Sequence, residues 1–118
     1  MARKDTPKAN RDDLAAAMEP VVLWEKGTDA QQELADQLIS QFCKRFAKYL
    51  CWAVSDELIT LNDAEDIANE FWTSISNIDD ARWWCNKKHM DDIKIAMKLT
   101  DDEDYKQMLK AIKKKYFS

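Results

Sequence analysis

The sequence predicts an all-α bundle, and three features predict it. From Thr28 to Ser118 there is neither glycine nor proline, a run of 91 residues in which helices start and stop only on side-chain caps. β-Hairpins ordinarily need Gly or Asn-Gly turns, and none is visible in that run. Apolar residues recur there at i, i+3, i+4 and i+7, the spacing of a buried helix face. The expected architecture is a compact bundle of four or five helices centred on a long amphipathic helix at about 28–55, with residues 1–10 as a flexible basic arm and 11–118 as a single all-helical domain. A length of 118 residues suits one domain, and 46% hydrophobic residues suffice for a core.

Each element has its own signal. Asn10 is placed to cap a short helix over 11–19, with Asp12 and Asp13 in the first turn where the dipole favours acids, and Pro20 ends it. Val21, Val22, Leu23 and Trp24 form a short apolar stretch expected to pack on the body, closed by Gly27 as a turn or left-handed cap. Thr28 and Gln31 make a capping box. The long helix behind it carries Leu34, Ala35, Leu38, Ile39, Phe42, Cys43, Phe46, Tyr49, Leu50, Ala53 and Val54 on one face and charged or amide residues on the other.

After a connection at 56–61, Asn62 and Glu65 repeat the capping signature ahead of a helix with Ala64, Ile67, Ala68, Phe71 and Ile75 on one face. Asn77 and Ile78 end it. Asp79 or Asp80 starts a third helix, expected to run to Leu99 with a break near Asn86. Thr100 and Glu103 introduce the last helix, with a stripe of Tyr105, Met108, Leu109, Ile112 and Tyr116, acids at its start and lysines at its end.

Charge is distributed unevenly. Residues 1–10 sum to +2, residues 105–118 to +5, and the body between them to −11, for a net −4. An acidic body argues against a broad phosphate-binding face and favours a basic protein partner, or serves solubility alone. The longest uncharged apolar stretch, 50–55, is far below the ~20 residues of a membrane span, and the basic N-terminus has no apolar segment behind it, so no membrane contact is expected and the expected location is cytoplasmic. Cys43, Cys51 and Cys85 lack CxxC spacing and read as reduced thiols packed as small hydrophobes.

Signals for catalysis are sparse. Cys85 and His89, four apart, offer two ligands on one helix face but no complete metal site, and a His89 catalytic dyad oriented by Asp92 lacks a nucleophile turn. Glu33 with Asp36, and Glu65, Asp66 and Glu70, allow an alternative reading as a metal-dependent helical nucleotide hydrolase, against which a solvated charged face is the simpler account. The sequence is therefore read as non-enzymatic and without a cofactor. Nucleic acid is a second alternative, through Arg3, Lys4 and Lys8 in the arm and Lys106, Lys110, Lys113, Lys114 and Lys115 in the last helix, with Tyr116 and Phe117 available to stack. Five tryptophans are many for so short a chain. Trp83 and Trp84 cannot face the same side of a helix, and an exposed Trp beside Arg82 has the composition of a binding hot spot.

One string carries a resemblance. NDAEDIANEFWTSIS at 62–76, with Asp63, Ala64, Glu65, Asp66, Ile67, Asn69, Glu70 and Trp72, resembles the second conserved region of bacterial extracytoplasmic-function sigma factors. FCKRFAKYL at 42–50 looks like the basic-aromatic helix preceding that region, and Trp83–Trp84 falls near a WL-type pair, so the likeness spans 42–84. In that family the helix docks on the clamp of RNA polymerase, which implies Asp66, Asn69 and Glu70 as contact residues and RNA polymerase as partner. The promoter-reading segment that follows in the family corresponds here to NKKHMDDIKIAMK, with aspartates in place of basic residues, so the resemblance implies clamp binding without promoter reading. The expected function is a small regulatory or adaptor protein working by protein–protein contact through Asp63, Asp66, Asn69, Glu70, Trp72, Arg82, Trp83 and Trp84. By analogy it belongs with the inhibitors that phages and mobile elements encode. Self-association is compatible with the same composition.

Overall fold

A computed structural model describes residues 9–117, which form six helices. These are α1 (Arg11–Met18), α2 (Asp29–Ser55), α3 (Leu61–Ser76), α4 (Ala81–Cys85), α5 (Asp92–Lys98) and α6 (Glu103–Tyr116). The all-α class stands. Among the described residues no helix is long and apolar enough to cross a membrane. The expectations placed on residues 1–8, Arg3, Lys4 and Lys8 included, lie outside the described residues. Asn10 is described and caps α1, its Oδ1 accepting the Asp13 N–H at 3.1 Å.

The long helix is the spine, and α2 packs against all five other helices. Its inward face buries Ala35, Ile39, Phe42, Cys43, Phe46, Ala47, Leu50 and Ala53. The rings of Phe42 and Phe46 stack at 5.5 Å, and both touch Phe71 of α3, at 6.1 and 5.5 Å. Trp84 of α4 closes this cluster 6.0 Å from Phe42. The inward face of α3 is the one its periodicity predicts: Ala64, Ile67, Ala68, Phe71 and Ile75 are all buried.

Several boundaries differ from expectation, each for a local reason. The capping box of α3 uses Thr60 and Asp63, whose side chains take each other's backbone N–H at 3.0 Å, so the helix starts one residue before Asn62. The third helix does break at Asn86, and it breaks into two separate helices: turns at 86–91 divide α4 from α5, which Asp91 restarts at φ −59 and ψ 144. At α6 the cap is Asp102, which accepts the N–H groups of Asp104 and Tyr105; Thr100 is buried instead, its hydroxyl donating to Glu70 Oε2 at 3.0 Å. The apolar stretch at 21–24 packs only in part: Val22 and Trp24 are half-buried, while Val21 and Leu23 point outward.

Two turns show how sequence chemistry closes the bundle. Gly27 sits at φ +110, where the chain 25–27 pairs briefly with 79–81, Glu25 N–H reaching the Asp79 carbonyl at 2.9 Å and Ala81 N–H the Lys26 carbonyl at 3.0 Å. A Cβ there meets the Ala81 Cβ at 2.9 Å, so both backbone conformation and space require glycine. At the end of α2 the opposite choice was made. Leu58 N–H bonds to the Ala53 carbonyl and Glu57 N–H to the Val54 carbonyl, a Schellman motif whose left-handed position holds Glu57 at φ 60.

These two positions should respond oppositely. Gly27→Ala is expected to lower the unfolding free energy by more than about 1 kcal/mol, and Glu57→Gly to raise it by about 0.5–1 kcal/mol, both read from urea denaturation midpoints.

Candidate functional site

Once α3 has buried its apolar face, its other side presents polar residues and one large ring. Asp66 and Asn69 are exposed, and Asp66 Oδ2 accepts the Asn62 amide at 3.3 Å. Trp72 is 47% exposed although it lies on a regular helix, with the Ser76 hydroxyl donating to its carbonyl at 2.7 Å. Residues 65, 69, 72 and 76 form one ridge and 62, 66, 69 and 73 the next, so Asn69 belongs to both and joins Trp72 to Asp66.

Two members of the predicted set serve the fold. Asp63 completes the α3 capping box, and Glu70 is half-buried with its carboxylate on Thr100. Trp84 is a correction: it is 1% exposed, and its ring belongs to the Phe42–Phe46–Phe71 core and is closed to any partner docking on this fold. Its indole N–H finds no hydrogen-bond partner. Trp83 takes the outer position, standing edge-on to Trp84 at 5.1 Å with Lys87 Nζ 3.9 Å from its ring centre.

Arg82 and Trp83 share a shallow cleft with Asn77, Ile78, Asp80 and Asn86, just past the C-terminal end of α3. Asp80 holds Arg82 there with two bonds, Nε to Oδ1 at 2.9 Å and Nη2 to Oδ2 at 2.8 Å, while its Oδ1 also caps α4 through the Arg82 N–H. That guanidinium and the backbone bond hold the Asp80 carboxyl down at about 2.

A feature hidden in the sequence is the acidic surround of Tyr105. Its phenol is pushed up by burial and then by Asp66, Asp102, Glu70 and Asp63, which draws acids of α3 and of the α6 start into one field. Exposed Asp101, Glu103 and Asp104 extend it. These residues lie some 40 positions from Asp63 in the chain, and only packing of α6 near α3 joins them.

The catalytic alternatives lose their geometry. Cys85 ends α4, so it and His89 do not share a helix, and its thiol donates to the Gln31 carbonyl at 3.5 Å. Asp92 is buried and committed to Arg45, Nε to Oδ2 at 2.9 Å and Nη2 to Oδ1 at 3.0 Å, so it does not orient His89. Asp36 accepts the Trp24 indole N–H at 2.9 Å. Among the described residues no group of three or more His, Cys, Asp or Glu is placed to hold a metal ion. The three cysteines are free, and burial pushes the Cys43 thiol far above its ordinary range.

Of the basic candidates, Lys110, Lys113, Lys114 and Lys115 are exposed on α6 and Lys106 is half-buried. Tyr116 and Phe117 are not free to stack as expected, since both are packed on Tyr49 of α2 and the Tyr116 hydroxyl donates to Asp56. The exposed ring at this end is Trp52, 44% accessible, with Lys48 beside it. The four-residue spacing of Lys44, Lys48 and Trp52 was the signal for it.

The lowered Asp80 pKa fixes a sign. A carboxyl ionised more readily in the folded state stabilises fully above its ordinary value near 3.9 and loses that contribution as pH falls through about 2. Asp80→Asn, which keeps a capping oxygen, is therefore expected to be less stable than the parent at pH 6 and nearly equal to it at pH 2, measured by thermal melts across that range. Compared with known proteins, the chain matches no family model, no curated protein and no solved structure.

Proposed function

We propose that this chain is a small non-enzymatic regulatory protein that acts by binding another protein through the outer face of α3, with the clamp of RNA polymerase as the partner its sigma-like string implies. The observation that carries the reading is Trp72, a half-exposed indole one turn from the exposed Asn69, on a helix whose apolar face is used by the core. Tryptophan concentrates binding energy when a partner desolvates it, and the exposed half of this indole gains nothing from the fold itself. The acidic field around Tyr105, built from carboxylates of α3 and of the α6 start, favours a basic partner and speeds encounter with it. Arg82 and Trp83, in the cleft beyond α3, extend the contact. Blocking suits the reading better than promoter recognition, because the segment aligned with promoter reading carries Asp91 and Asp92 in place of basic residues. An inhibitor of the kind encoded by phages fits this description.

The test is direct binding to purified, nuclease-treated bacterial RNA polymerase core by biolayer interferometry. Association is expected, weakened at least ~30-fold by Trp72→Ala and by Asp66→Lys in proteins whose thermal melts match the parent. No association with the core enzyme, or association indifferent to both substitutions, overturns the assignment of polymerase through α3.

A further inference from the structure

Two rows of lysines converge on one cluster of rings. On α2, Lys44, Lys48 and Trp52 follow at four-residue spacing and form a single ridge. On α6, Lys106, Lys110 and Lys113 form another that runs toward Phe117. The ridges meet where Tyr49 packs on Phe117 at 4.5 Å and Trp52 leans on Tyr116 at 5.6 Å. Lys48 Nζ lies 5.5 Å from the Tyr49 ring centre and 5.2 Å from that of Trp52. Lys44 and Lys48 also line an open groove against α1, where Arg11 adds a cation and Asp12 and Glu19 add carboxylates.

Ordinary explanations cover only part of this. Lysines in the last turn of α6 suit its dipole, but Lys44 and Lys48 stand well inside a 27-residue helix, where the dipole offers them little. Arg45 is neutralised by Asp92 and Lys115 faces Asp56 at 3.6 Å. Among the described residues Lys44, Lys48, Lys110 and Lys113 have no carboxylate within ion-pair distance. In a chain of net charge −4, lysines outside any ion pair are thus gathered beside a half-exposed tryptophan.

We propose that this surface binds single-stranded nucleic acid, RNA and DNA alike, with lysines of α2 and α6 on phosphates and Trp52 as a stacking platform for a base. An ammonium is a point charge that follows a backbone of any sequence, and an indole face stacks on any base. Duplex DNA hides its base faces, so the arrangement favours single strands. Neither a phosphate contact nor base stacking requires a 2′-hydroxyl. The surface is distinct from the α3 face, and neither proposal depends on the other.

Fluorescence anisotropy of labelled oligo(dT) and oligo(U) with the full chain, over a salt series, tests it. Both are expected to bind with comparable affinity that falls as salt rises, and a duplex of equal length more weakly. Trp52→Ala is expected to weaken binding about tenfold. Lys44→Gln with Lys48→Gln, which leaves the ring cluster intact, is expected to flatten the slope of log K against log salt by about 1.4. Trp72→Ala leaves both unchanged. The proposal is overturned by absence of binding at low salt, by equal affinity for duplex, or by binding lost only on neutralising Arg3, Lys4 and Lys8.

Discussion

The stacked rings of Phe42 and Phe46 on α2 are the constraint on which the other helices depend. Four residues apart, they present one continuous aromatic surface, and α3 and α4 are positioned by what they place against it, Phe71 and Trp84. Aromatic side chains bury large areas at little entropic cost, so two turns of helix here dominate the packing of the bundle. A helix of this length spans ~40 Å, and α1, α5 and α6 also pack against it. The polar lock between Arg45 and Asp92 then ties the short helix α5 to the spine.

This arrangement decides which tryptophans face water. Trp84 is drawn into the ring cluster, and Trp83, one residue earlier and ~100° away, is left at the edge under Lys87. Trp72 lies at the margin of the buried face of α3, and Trp52 ends the lysine ridge of α2. Two exposed indoles therefore stand in different electrostatic settings. Trp72 stands on α3, whose exposed side also carries Glu65 and Asp66. Trp52 is flanked by ammonium groups of α2 and by the end of α6. The polarity of α6, acids first and lysines last, serves its own dipole and also supplies charge of opposite sign to the two ends of the helix.

Much of this was legible residue by residue. The capping box at Thr28 and the five buried positions of α3 follow from spacing alone, because both are properties of one helix. The start of α3 was misplaced because Thr60 with Asp63 and Asn62 with Glu65 offer competing caps two residues apart, and only the reciprocal bonds decide between them. Thr100 looked like a cap for a similar reason. Its hydroxyl is spent on Glu70, 30 residues away, a partner no local pattern announces. The end of α2 carried no glycine to mark it, since Glu57 accepts the left-handed conformation that such a turn requires.

The sequence by itself determined the all-α class, the spine, the buried stripes of the longer helices and the separation of charge along the chain. Those follow from helical periodicity and capping, which act over a few residues. The tertiary structure decided which of two adjacent tryptophans is core, joined Asp63 and Asp66 to Asp102 around Tyr105, and brought Lys44, Lys48 and Trp52 to the ring cluster that α6 completes. Such groupings depend on how helices cross, and crossing is settled by the shapes of side chains meeting from distant segments, a quantity that no single window of sequence contains.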